Sequence, residues 1–316
     1  MASTAPRIST QHFLSVLDLT SAELMRLLDL SARLKADRSL GPRAPTAEAL
    51  AGRHVAMLFE KPSLRTRSTF EIAVHELGGH TLNVPAEFGD GGREPVIDIV
   101  RNLERWVHGL VVRTFAQEKV AAMATASSSL HVINALSDQE HPCQALADML
   151  TLLEHWSSLE GRVLAFVGDG NNVATSLAHA AVMLGVSVHV ASPRGYELPE
   201  RVATEAQRVA RAGAEVRVFT DPIAAVRGAS AIYTDVWTSM GQEREAAARR
   251  AVFEPYQVNA RLMAAASPDC LFMHCLPAHR GEEVSADVVD SMRSVIFDQA
   301  ENRLHTQKAL LLMLLS

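Results

Sequence analysis

Short apolar runs alternate with longer amphipathic stretches along this chain, and the alternation occurs twice. In the first half the apolar runs are 54–59, 109–115 and 130–134; in the second they are 162–167, 186–191, 215–219, 229–235 and 270–274. Continuous apolar runs of strand length, each followed by a helical period, are the pattern of strands buried on both faces of a parallel sheet. The expected fold class is therefore α/β: two doubly wound domains, each with a parallel sheet flanked by helices. A chain of 316 residues fits two cores of about 150 residues each. Residues 141–156 carry apolar residues at helical spacing and run into the turn signal Ser157-Ser158-Leu159-Glu160-Gly161. The predicted boundaries are thus 1–157 and 158–299, joined by bridging helices, with a final helix at 300–316 packing back on the first domain.

Composition removes several function classes. A net charge of -6 is wrong for a nucleic-acid or anionic-membrane surface, which is held by clustered Lys and Arg, so no nucleic-acid or membrane partner is expected. The three cysteines, Cys143, Cys270 and Cys275, are too few and too irregularly spaced for a disulfide framework or a Cys-rich zinc site; a cytoplasmic location and no metal are expected. No window approaches the roughly 18 apolar residues of a membrane span.

In parallel sheets ligands collect beyond the carboxyl ends of the strands, and polar clusters stand at those positions. The run 54–59 leads into Ser63-Leu64-Arg65-Thr66-Arg67 at the start of a helix. Free backbone N–H groups and the positive end of the helix dipole suit a phosphate there, and equally suit a capped helix with solvated arginines. Within the next run, the strand 109–112 delivers Arg113 and Thr114 at its carboxyl end, and His141-Pro142-Cys143-Gln144 opens the bridging helix. A His at such a place caps or packs, or donates to a carbonyl oxygen that gains negative charge. The second sheet supplies Gly168-Asp169-Gly170-Asn171-Asn172, a weak dinucleotide signal because the third glycine of the fingerprint is absent. Asp235, the segment Ser239-Met240-Gly241 and His274-Cys275-Leu276-Pro277 close the series. Asp235 with Asn172 suits an α-ammonium and an α-carboxylate; each alone also suits a helix cap.

In order and spacing these segments together resemble the ornithine carbamoyltransferase family, over nearly the whole chain. The opening His12-Phe13-Leu14-Ser15 and the closing Ala300-Glu301-Asn302-Arg303 resemble that family's ends as well. The resemblance implies a carbamoyl phosphate-binding first domain and an ornithine-binding second domain. It gives Ser63, Leu64, Arg65, Thr66, Arg113, His141, Gln144, Cys275, Leu276 and Arg303 to carbamoyl phosphate. It gives Asn172, Asp235, Ser239 and Met240 to ornithine, and Arg113, His141 and Cys275 to catalysis. It further implies a homotrimer with active sites at subunit interfaces, the loop 87–95 being lent by a neighbour. Two departures stand out. Leu64 occupies a place where the family has Thr, and Gly89 stands nearest the family's loop Gln, so that Arg93 is the expected substitute.

Carbamoyl transfer needs an electrophilic carbonyl, a neutral amine and a stabilised leaving phosphate, and no cofactor is expected. His141, Arg113 and Thr66 are assigned to the developing oxyanion, Arg65 and Ser63 to the phosphate, and Cys275 to orienting or deprotonating the amine. Three other readings remain open on the sequence: a related acceptor (acetylornithine, putrescine or aspartate), a non-catalytic carbamoyl phosphate-binding relative, and a dehydrogenase using 168–172.

Overall fold

The computed structural model describes residues 7–88, 94–239 and 241–316. The chain divides into two compact units: one runs through Leu150 and includes Glu301–Ser316, the other is Thr151–Ala300. Both divisions fall inside helices, Pro142–Trp156 and Ile296–Leu315.

Among the described residues the first unit holds four strands, β1 His54–Phe59, β2 His80–Val84, β3 Gly109–Arg113 and β4 His131–Leu136, in the order β2-β1-β3-β4. All neighbours are parallel. β3 is buried along its whole length and β1 beyond its first residue, as expected of strands covered on both faces. Ala56, Leu58, Leu110, Val112 and Val132 share one core with Ile99, Val100 and Leu103 of the helix Val96–Leu103. The second unit holds β5 Val163–Val167, β6 Ser187–Ala191, β7 Val216–Phe219, β8 Ala231–Thr234 and β9 Leu271–His274, ordered β7-β6-β5-β8-β9 and again all parallel. The helix after β5, Asn172–Met183, is buried from Val173 through Met183, which explains a sequence apolar all the way round.

The sequence reading gave no strand at 80–84. β2 is an edge strand whose residues are exposed except for a partly buried Val84, so it needs no apolar run, and His80-Thr81-Leu82-Asn83-Val84 shows none. No helix among the described residues is long and apolar enough to cross a membrane.

In each sheet the order reverses direction once. In the first unit this happens between β1 and β3, and in the second between β5 and β8. Connections leaving those two strands diverge to opposite sides and open a crevice at the carboxyl edge. Residues 63–67 and Arg113 stand at the ends of β1 and β3, and residues 168–172 and Asp235 at the ends of β5 and β8, whereas His141 follows β4 and His274 ends β9.

Candidate active site

In the first unit, Ser63 is the N-cap of the helix Leu64–Glu76, its Oγ accepting from the Thr66 N–H at 3.2 Å. Arg113 ends β3 level with Phe59, its register partner on β1. The two expected anion-binding segments therefore flank one crevice. Thr66, Gln144 and Arg303 are 1%, 1% and 2% exposed, and the Arg303 guanidinium joins them. Its Nη1 donates to Gln144 Oε1 at 2.5 Å and its Nη2 to Thr66 Oγ1 at 2.8 Å. Gln144 Nε2 in turn donates to Asp148 Oδ1 at 2.8 Å. Thr66 Oγ1, having accepted from Arg303, has its own hydrogen to donate elsewhere.

His141 is buried beside this network. Burial holds its pKa well below the usual imidazole value, and Arg303, Arg113 and Arg65 lower it further. A neutral imidazole among three guanidiniums gives a strongly positive crevice whose histidine donates through one nitrogen only. Leu64, by contrast, is 80% exposed and offers no side-chain donor. Arg67 lies over the Phe59 ring, 5.2 Å from its centroid.

Sequence reasoning passed over Lys61 and Glu60, which directly follow β1. Lys61 is buried, with Nζ 4.1 Å from the centroid of the Phe115 ring. Its pKa is lowered, first by burial and then by Arg113. Glu60 accepts from Thr114 Oγ1 and, at 2.8 Å, from Lys119 Nζ. Their place at the carboxyl end of a central strand was the available signal.

In the second unit, Asp235 follows β8 and His274 ends β9, while Asn171 caps the helix after β5. Asp235 Oδ1 accepts from the Val236 N–H at 2.8 Å and from Cys275 Sγ at 3.0 Å. Its Oδ2 accepts from Asn171 Nδ2 at 2.8 Å. Asn172 is the first residue of that helix, its Oδ1 accepting from the Val173 N–H at 3.0 Å. Ser239 donates its N–H to Gln242 Oε1 at 3.0 Å. Met240 lies outside the described residues, as do Gly89 and Arg93 of the 87–95 loop.

Cys143 and Cys270 have pKa values pushed up to about 12 by burial, whereas Cys275 is only partly buried. Cys275 is followed by Leu276 at φ 61, a left-handed conformation that a branched residue rarely adopts. The turn is held by His274. The Leu276 N–H donates to His274 Nδ1 at 2.8 Å, which puts the ring proton on Nε2, 3.2 Å from Glu283 Oε1. Asp235, His274 and Cys275 offer ligand atoms within 4.8 Å of one another, but both His274 nitrogens are committed to these contacts, so the trio is not an available metal set.

Gly168 and Gly170 have a packing explanation. Gly168 has φ 146, and a Cβ on Gly170 would sit 2.3 Å from the backbone nitrogen of Leu198. Gly168 answers to its positive φ and Gly170 to the close passage of residues 197–198. Asp169 bonds to Arg249, which also donates to the Trp237 carbonyl at 2.5 Å and lies 4.7 Å from the Tyr196 ring centroid.

Two family models match the chain. The carbamoyl-P binding domain of aspartate/ornithine carbamoyltransferase matches residues 11–154, and the Asp/Orn binding domain of the same family matches 160–314. An ornithine carbamoyltransferase of Parafrankia sp. is 52% identical over 98% of this chain and 97% of its own length. The anabolic ornithine carbamoyltransferase of Pseudomonas aeruginosa is 48% identical over 98% of both chains. Among solved structures, the ornithine carbamoyltransferase from Pyrococcus furiosus superposes with a TM-score of 0.91 at 45% identity, covering 100% of this chain and 99% of that one.

Proposed function

The chain belongs to the aspartate/ornithine carbamoyltransferase family, and from that premise we propose that it transfers the carbamoyl group of carbamoyl phosphate to the side-chain amine of L-ornithine. The products are L-citrulline and phosphate, and the reaction serves arginine biosynthesis or urea-type metabolism. The observation that carries this reading is His141, held neutral by burial among Arg65, Arg113 and Arg303. Such a crevice suits a dianionic phosphoryl group attached to a carbonyl that must be polarised. Ornithine as acceptor is supported by relatives of about half identity over nearly their full length, all bearing that enzyme's name.

In the proposed mechanism Ser63, the Leu64 backbone N–H, Arg65 and Arg113 receive the phosphate. His141, Gln144 and Arg303 address the carbamoyl group, with Thr66 and Arg113 joining His141 at the oxyanion. The ornithine amine must arrive neutral. Its free pKa is near that of Lys, about 10.4, so deprotonation near pH 7 costs roughly 4 to 5 kcal/mol. Asn172, Asp235, Ser239 and Met240 hold the amino acid's α-groups, while Cys275, flanked by Leu276, orients or deprotonates the attacking nitrogen. The lone pair forms the C–N bond, charge collects on the carbonyl oxygen, and collapse of the tetrahedral species breaks the C–O bond to phosphate, which departs with the proton that the nitrogen gives up. No step calls for a metal or organic cofactor. A homotrimer with active sites at subunit interfaces and a cytoplasmic location complete the proposal. The polar, glycine-rich sequence of the 87–95 loop supports the first, and three cysteines that form no disulfide suit the second.

The test is phosphate release and citrulline formation by purified protein, with ornithine, acetylornithine, putrescine and aspartate compared as acceptors and no metal added. Ornithine should dominate. A preference for another acceptor, or no turnover at all, would overturn the reading.

A further inference from the structure

We propose that Asn171, rather than only its neighbour Asn172, serves the acceptor site: it is a positioning residue that sets the orientation of the Asp235 carboxylate. The inference rests on the proposed role of Asp235 as the anchor of the acceptor's α-ammonium.

The orientation of the Asn171 amide is fixed by its surroundings. Its Oδ1 accepts from the N–H groups of Val173 at 3.0 Å and Ala174 at 3.1 Å, two of the donors at the start of the helix Asn172–Met183 that have no carbonyl partner within the helix. With the oxygen committed there, the NH2 group faces Asp235 Oδ2 at 2.8 Å. The other carboxylate oxygen, Oδ1, accepts from the Val236 N–H and the Cys275 thiol at 2.8 and 3.0 Å. A carboxylate has about four lone-pair positions. The protein donors fill both on Oδ1 and one on Oδ2, so the remaining position, on Oδ2, is the one that meets a cation. Asn171 therefore decides where that lone pair points, because a carboxylate pinned at Oδ1 alone can still rotate.

The placement has a topological basis. Asn171 stands beyond β5 and Asp235 beyond β8, the two strands between which the sheet order reverses. The amide links the N-terminus of one crossover helix to the anion that the neighbouring strand delivers.

Two substitutions separate this role from simple helix capping, since Ser and Asp both rank with Asn as N-caps. Asn171→Ser keeps a cap and is too short to reach Asp235. It should raise the KM for ornithine roughly 10- to 100-fold, the range for losing one hydrogen bond to a charged group, and lower kcat by less. The KM for carbamoyl phosphate and the Tm should stay close to wild type. Asn171→Asp sets one carboxyl against another, and such a pair holds a shared proton well above the ordinary carboxylate range. While that proton is present it replaces the amide donor. The ornithine KM of this variant, taken as a ratio to wild type across pH 5.5 to 8.5, should be near unity at the acid end and rise with pH.

A ratio that stays flat with pH, or an ornithine KM within twofold of wild type in Asn171→Ser, would overturn the proposal. If Asn171→Ser does not fold, the pH-dependent ratio of Asn171→Asp decides alone. Failure of the parent reading is seen separately, in the wild-type chain: if it turns over a different α-amino acid, the ornithine assignment falls and the same two ratios are measured on that acceptor.

Discussion

Arg303 and Thr66 are 237 positions apart in sequence and share a hydrogen bond of 2.8 Å, both fully enclosed in the first unit. The same guanidinium holds Gln144, so one cation fixes two of the side chains assigned to carbamoyl phosphate. Arg303→Lys keeps the charge and loses the planar fork. It should lower kcat/KM at least about 100-fold, since two charge-assisted bonds cannot both be replaced. Steady-state kinetics with carbamoyl phosphate varied would show this, and a wild-type KM for that substrate would remove Arg303 from the site.

Leu64 should be improvable. It is the first residue of the helix proposed to face the phosphate and is 80% exposed, so a shorter hydroxyl residue meets no steric obstacle. Leu64→Thr is expected to tighten carbamoyl phosphate binding roughly tenfold, the lower end of the yield of one added hydrogen bond to a charged group. Isothermal titration with carbamoyl phosphate measures it, and an unchanged Kd means that the side chain at this position does not reach the ligand.

Acid should weaken the first unit through His305. Burial brings its pKa from 6.5 down to about 4; Glu301 opposes this, while Lys35 and Arg38 add to it. Above about pH 6.5 neither folded nor unfolded chain protonates this group, so its effect is nil. As pH falls through that value the unfolded chain takes up a proton that the folded chain refuses until about pH 4. Stability is thus lost across that window, by about 3 kcal/mol at its lower end. His141, lowered in the same direction, adds a separate loss. Melting curves of wild type and His305→Gln should converge toward acid pH, the variant having the shallower slope; parallel slopes would show that His305 takes no part.

These outcomes indicate where the sequence spoke and where it was silent. Strands were legible wherever both faces are covered, because burial demands unbroken apolar runs; β2, at an edge and exposed, carries no such mark. Ser63 was legible as a cap because its chemistry is local. Asn171 was not separable from Asn172 by type or spacing, since only the fold decides which amide faces Asp235. Gly168 and Gly170 imitated a nucleotide fingerprint because the first has a φ of 146 and the second passes so close to the Leu198 backbone that it makes the same demand on side-chain size as a pyrophosphate does.

The interface between subunits can be tested without further structure. In the proposed trimer, Arg93 of one chain completes the site that contains Arg65 of the next. Arg93→Ala and Arg65→Ala chains should each be nearly inactive, and separated hybrid trimers should regain activity, because some sites then carry both lesions and others none. Inactive hybrids from inactive parents, or a fully active Arg93→Ala enzyme, would exclude the shared arginine.

Finally, the first unit is closed by residues that follow the whole second unit in the chain, Glu301–Ser316 after Thr151–Ala300. A ribosome therefore releases the β1–β4 sheet long before Arg303 exists to hold Thr66 and Gln144. Domains tend to fold as they emerge, yet the network of Thr66 and Gln144 waits until the final helix has been made as far as Arg303. If Arg303 has the role proposed for it, a nascent chain lacks a complete site for carbamoyl phosphate, and the competence to bind that ligand reports that the polypeptide has been read through at least to Arg303.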